Sequence, residues 1–200
     1  MSLEGLPGSG KTTTAQLVAE LEGITYVHER SKDVPFLDAF YSDVERYKLE
    51  TELAFVLIHY HQYRDLAEPA VLDYSPVKDL VFADLNLDGS DYELFHAVYA
   101  RTSGSLPRPA RVVYLDLEED HLLERIAARG REYERDFHRR YLARLRNAYE
   151  ERLGELGETV MRVPVVPSES PDDVAATVHA ALCEFADTGQ GGGDRPDNPT

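Results

Sequence analysis

Apolar positions fall in short runs separated by polar stretches, and their spacing assigns most of the elements. Ser2–Glu4 leaves room only for a very short strand before a glycine-rich loop. Ala15, Leu17, Val18 and Leu21 are the apolar positions of a helix predicted over Lys11–Glu22. "GITYVH" reads as a second strand. In Val44–Leu66, Leu49, Leu53, Val56, Leu57 and Tyr60 lie close to helical spacing, which predicts one long helix. "PAVLDY" is a third strand ending at Asp73. Pro76 to about Ala100 is helical and broken near Gly89, "SLPRPA" is a loop, and "RVVYLDL" is the clearest strand. Amphipathic helices over Glu118–Arg129 and Phe137–Leu153 are separated by "GREYERD". "TVMRVPV" is a last strand and Pro171–Phe185 a last helix. Strands alternating with helices predict an α/β fold, a parallel sheet flanked by helices. Ligands of such sheets bind at the carboxyl ends of the strands.

Composition narrows the classes. The 200 residues suffice for one domain with a full core, and 42% of them are hydrophobic. No apolar run approaches the roughly 20 residues of a membrane span, and the N-terminal stretch has no signal-peptide pattern. Lys and Arg number 21 against 37 Asp and Glu, a net charge of −16. That balance argues against nucleic acid or an anionic membrane as partner. Cys183 is the single cysteine, which fits a reducing cytoplasm and excludes an internal disulfide. The Gly-, Pro- and Asp-rich end lacks apolar periodicity. We therefore expect a domain over 1–186 and a disordered tail over 187–200.

"GLPGSGKT", Gly5 to Thr12, satisfies G-x-x-x-x-G-K-[ST] in full. Gly5, Gly8 and Gly10 let the backbone turn sharply and approach phosphate oxygens. Pro7, Ser9 and Thr13 complete the loop and the first helical turn. Successive N–H groups and the helix N-terminus then hold the anion. Lys11 should reach the β- and γ-phosphates and Thr12 should ligate Mg²⁺. The N-K-x-D and D-x-x-G strings of GTPases are not found. In "RIAARGREYERD", Arg125 and Arg129 share a helix face and Arg131 follows a glycine. In so acidic a chain this points to a lid that neutralises a transferring phosphoryl group. A small P-loop protein with an arginine lid is a small-molecule kinase using ATP.

From Leu3 to about Leu153 the chain resembles the deoxynucleoside kinases. The matching pieces are "LEGLPGSGKTT", "HERSKDVPFLDAFYSDVERY", "LDYSPVKDLVFADLNLDGSDYELFHAVY", "LPRPARVVYLDL" and "LLERIAARGREYERDFHRRYLARLRNAYEER". The resemblance implies a P-loop kinase fold with an arginine-rich lid. It also implies ATP- and Mg²⁺-dependent phosphorylation of a nucleoside 5′-hydroxyl, and a homodimer paired through the long helix. Phe55, Ile58 and Tyr63, beyond what one buried face of that helix needs, agree with pairing. By position, Glu29 at the end of the second strand matches the family's acceptor of the hydroxyl proton. The nearby string Glu29-Arg30-Ser31 spells a family motif that belongs after the third strand. There this chain reads Asp73-Tyr74-Ser75. Asp73 keeps a carboxylate for Mg²⁺, but Tyr74 replaces an arginine that touches phosphate and the catalytic acid. Arg30, beside Glu29, is a candidate to compensate, but strand alternation aims it at the opposite face.

The resemblance further implies that Tyr41 and Glu134 hydrogen-bond the sugar and that Asp79 contacts the base. A base-reading glutamine falls on Glu52 and an arginine on His59. An ionised glutamate only accepts, so Glu52 should prefer bases with amino donors over thymine. A nucleoside monophosphate kinase is the rival activity, disfavoured by the missing cation at Tyr74. A catalytically weak nucleotide-binding protein is the rival from another class.

Overall fold

In the computed structural model, described for residues 1–66, 69–103, 106, 109–130 and 139–189, five strands form one parallel sheet. They are β1 (Ser2–Glu4), β2 (Thr25–Val27), β3 (Ala70–Leu72), β4 (Val112–Asp116) and β5 (Val160–Pro164), in the order β2-β3-β1-β4-β5. β1 is short but central, and all three of its residues are buried. Its ladder is extended at the start by Ser2 N–H donating to Arg111 O (2.9 Å) and Leu72 N–H donating to Met1 O (3.0 Å). From β1 the chain jumps to the edge at β2, returns to β3, and then crosses to β4 on the other side. This reversal beside β1 opens a crevice at the strand ends, where ligands bind in sheets of this kind.

The helices are α1 (Lys11–Glu22), α2 (Leu37–Ser42), α3 (Val44–Arg64), α4 (Pro76–Asn86), α5 (Gly89–Ser103), α6 (Glu119–Arg129), α7 (Arg139–Gly154) and α8 (Pro171–Gly189). α1 packs on α8 and α4 on α7. Their apolar faces join Leu3, Val71, Val113 and Leu115 of the sheet in the main core. A second cluster, Val56, Ala83, Leu87 and Phe95, binds α3, α4 and α5 together. Asp43 caps α3 by accepting from Arg46 N–H (3.3 Å), and Ser75 caps α4 by accepting from Val77 N–H (3.3 Å).

Elements differ from expectation in two places. α2 was not foreseen, because six residues are too few to display a helical repeat. α8 runs to Gly189, beyond Phe185 and three residues past the expected domain boundary, while 190–200 lie outside the described residues. Half of the "SLPRPA" loop and all of "GREYERD" but Gly130 also lie outside them. Among the described residues no helix is long and apolar enough to cross a membrane.

Candidate active site

The glycine-rich loop joins β1 to α1 at the carboxyl edge of the sheet. Gly5 has φ 147° and Gly8 φ 86°. A Cβ on Gly5 would lie 2.7 Å from Leu115 O, and one on Gly8 3.1 Å from Leu122 O. These glycines therefore let the loop seat against β4 and α6, besides turning toward a ligand. Lys11 Nζ donates to Gly5 O (2.7 Å) and Leu6 O (3.2 Å), folding back over the loop. Burial first, and the charge of Lys78 second, push its pKa down to about 8.

Beyond the strand ends lies a cavity of about 570 Å³, of a size for a small-molecule ligand. Gly5, Pro7, Lys11 and Thr12 line it on the loop side. Glu29, Tyr41, Glu52, Asp73, Asp79 and Arg129 also line it. Other expected site residues stand back. Ser9 is buried, Thr13 is exposed on α1, and Gly8 and Gly10 shape the loop from behind. Arg125 lies along the loop, with Nη1 3.9 Å from where a Gly10 Cβ would be. Arg131 and Glu134 lie outside the described residues.

The end of β2 is fixed by Asp73. Its Oδ1 accepts from Glu29 N–H (2.6 Å), and its Oδ2 accepts from Tyr26 OH (2.9 Å) and lies 2.8 Å from His28 Nδ1. Asp73 is thus a brace that orients Glu29 as well as a cavity carboxylate. Glu29 in turn pairs with the Lys78 ammonium through Oε1, and His59 Nε2 lies 3.3 Å from the same oxygen. That second contact suits charge pairing, but it is poorly aligned for a hydrogen bond. Burial alone would raise the Glu29 pKa. The Lys78 and His59 charges outweigh it and hold the carboxyl well below the usual carboxylate range.

One expectation is corrected here. His59 does not line the cavity. It is buried behind it, with Nδ1 2.7 Å from Asp79 Oδ1. Burial opposes its charge, but Asp79 and Glu29 overcome this and raise its pKa to about 9. His59 therefore carries positive charge at neutral pH but supports Glu29 and Asp79 from behind. For Glu52, burial, with Asp79 nearby, raises the pKa to about 8 despite the hydrogen bond from Asn86 Nδ2 to Oε1 (2.7 Å), which favours the neutral carboxyl at neutral pH. A neutral carboxyl both donates and accepts, so the expected bias toward amino-bearing bases does not follow from it. Arg30 does pair away from the site, with Asp33. Tyr74 is fully buried and stacks on His59, ring centroids 4.2 Å apart.

Sequence reasoning missed three groups. Lys78, in the first turn of α4, supplies a cation to Glu29. Glu4, at the end of β1, is buried and accepts from Ser75 N–H (2.6 Å), Ser75 OH (2.7 Å) and Tyr149 OH (3.0 Å), tying β1 to α4 and α7. An acid closing a fully buried strand was the available signal. Thr51 lines the cavity, is 1% exposed, and its hydroxyl has no partner among the described residues. Nothing in its sequence context marked it.

A phosphate loop, an oriented carboxylate and a cavity between them describe a phosphotransferase site. The sequence model of the deoxynucleoside kinase family matches residues 1–180. The chain belongs to that family. Such a kinase phosphorylates a deoxynucleoside hydroxyl with ATP, and that is the activity of this chain. A deoxyguanosine kinase of Bacillus subtilis (strain 168) is 30% identical over 183 residues, covering 87% of this kinase and 88% of the relative. A deoxyadenosine kinase of Dictyostelium discoideum is 29% identical over 190 residues, covering 90% and 78%. The fold matches that of a deoxyadenosine kinase from M. mycoides with dCMP and a flexible dCDP bound. The TM-score is 0.78 at 19% identity, covering 92% of this kinase and 98% of that chain.

Proposed function

We propose that this kinase transfers the γ-phosphoryl group of ATP, with Mg²⁺, to the 5′-hydroxyl of a purine deoxynucleoside, using Glu29 to orient the hydroxyl and take its proton. The observation that carries this reading is that Glu29 and Lys11 line one cavity. The named activities of the two relatives, on deoxyguanosine and deoxyadenosine, support the purine.

Lys11, the loop N–H groups and Arg129 hold the phosphates. Tyr41 and Glu134 hold the sugar, and Glu52 and Asp79 meet the base. Thr12 and Asp73 both offer oxygen to the cavity. Asp73 Oδ1 accepts one hydrogen bond and keeps a second lone pair. Such a hard oxygen pair suits Mg²⁺, which takes few protein ligands and keeps water and phosphate. When bound, Mg²⁺ neutralises charge on the phosphate oxygens. A strongly acidic Glu29 is a weak base, but in a loose transition state the hydroxyl needs orientation more than early deprotonation. Arg125, Arg129 and Arg131 then form the lid over the phosphates.

Glu29→Gln keeps the shape and removes the charge. We expect kcat to fall about 10²- to 10⁴-fold with ATP affinity nearly constant. Retention of more than about a tenth of kcat would remove Glu29 from this role.

The homodimer belongs to the same proposal. Phe55 and Tyr63 find partners within the chain, at the cavity and beside Tyr74. Leu57 of α3 and Leu94 of α5 are 53% and 48% exposed on adjacent helices. We expect Leu57→Glu to halve the mass seen by light scattering, and a wild-type monomer at micromolar concentration would end the idea.

A further inference from the structure

Lys78 is placed where a cation is costly. It stands in the first turn of α4, near the positive end of the helix dipole. Its side chain is 18% exposed, with Nζ 5.6 Å from the ring centroids of both Phe55 and Phe82. Desolvating an ammonium is expensive unless it is paired, and its partner is Glu29. Pairing Glu29 does not by itself require Lys78, because the His59 charge already lies against the same oxygen. Lys78 also lines the cavity that Lys11 and Thr12 line. It is therefore within electrostatic reach of both the carboxylate and the phosphate loop.

We propose that Lys78 is a catalytic residue: its ammonium rests on Glu29 in the free enzyme, yields that carboxylate to the acceptor hydroxyl, and turns to the phosphoryl group in transfer. The proposal rests on the reading of Glu29 given above. In the step itself the acceptor oxygen bonds to the γ-phosphorus while the bond from that phosphorus to the β–γ bridging oxygen breaks. The electron pair of that bond leaves with ADP, and the hydroxyl proton passes to Glu29. Lys78 changes partner without changing protonation. Its arrival near the three equatorial oxygens offsets charge that the ground state spreads less tightly toward it. Its departure frees Glu29 to accept the proton only when an acceptor is present.

The test uses Lys78→Ala, Lys78→Arg and Glu29→Gln in the full chain, with ATP, Mg²⁺ and deoxyguanosine or deoxyadenosine. We expect Lys78→Ala to lower kcat about 10²- to 10³-fold with ATP binding within about threefold. Added ethylammonium or propylammonium should restore kcat saturably. Lys78→Arg keeps the charge and the fold, but its planar fork grips a carboxylate at two points and exchanges poorly. We expect at least about a tenfold loss of kcat from it, and this holds the test open if the alanine variant does not fold. The proposal fails if Lys78→Ala keeps kcat within about threefold of wild type. It also fails if Lys78→Arg is fully active, or if folded Lys78→Ala shows no amine rescue. Should Glu29→Gln stay active while Lys78→Ala does not, the Glu29 role is wrong and the cation stands on its own.

Discussion

His59 holds its Nδ1 2.7 Å from the Asp79 carboxylate, in the wall behind the cavity. Both side chains are 2% exposed, so removing the imidazolium strands a buried charge. We expect His59→Gln to cost about 3 kcal/mol near pH 6, measured by chemical denaturation. The folded pKa, about 9, lies above the ordinary 6.5. The contribution is therefore fully present below pH 6.5 and declines as pH rises through about 9. The gap between wild type and variant should shrink across that window, and a gap constant from pH 6 to 9.5 would show that His59 is neutral.

Lys11 makes an opposite kind of prediction, because its pKa is lowered to about 8. Below pH 8 the free enzyme already carries the charge that ATP needs. Above it, binding must first take up a proton, so the ATP dissociation constant should rise by up to about tenfold per pH unit. Equilibrium titrations from pH 7 to 10 test this. Lys11→Met should bind weakly at every pH and show no such slope. An unchanged wild-type constant at pH 9.5 would contradict the lowered pKa.

The pattern of elements was legible because it rests on local rules. The complete phosphate loop, the alternation of strands and helices, and the place of Glu29 at a strand end all follow from spacing. What was not legible arises from tertiary contact. Lys78 carries no motif, and only the packing of α4 against Phe55 brings it to Glu29. The charge on Glu52 could not be read either. An exposed glutamate is ionised at neutral pH, and whether this one is buried beside Asp79 depends on how α3 meets α4. The missing arginine at Tyr74 looked like a loss of charge, yet the site holds two cations there, His59 and Lys78, from other elements.

Thr51 has a hydroxyl that is buried, faces the cavity lining and lacks a partner among the described residues. An unpaired buried hydroxyl costs about 1–3 kcal/mol, which a bound nucleoside can recover. Thr51→Val keeps the shape and deletes the hydroxyl. We expect KM for the nucleoside to rise about tenfold with kcat and melting temperature nearly unchanged. A variant more stable than wild type but unaltered in KM would assign Thr51 to packing alone.

Glu52 carries the last prediction. Burial raises its pKa to about 8, and Oε1 already accepts from Asn86. At pH 7 the protonated carboxyl offers a base one donor beside the acceptor on Asp79. Glutamine has the same donor and acceptor capacity. Glu52→Gln should therefore leave the ranking of nucleosides at pH 7 within about threefold of wild type, less than the loss of one hydrogen bond to a charged group. The difference should open with pH. As wild-type Glu52 ionises above about pH 8 it loses its donor and places a second charge near Asp79, so kcat/KM for the nucleoside falls. The glutamine variant cannot ionise and should hold its kcat/KM over the same range. Working at saturating ATP separates this from the Lys11 effect, which acts through ATP affinity. If Glu52→Gln shifts selectivity tenfold or more at pH 7, the carboxyl is ionised when the base binds, and amino-bearing bases are what it selects.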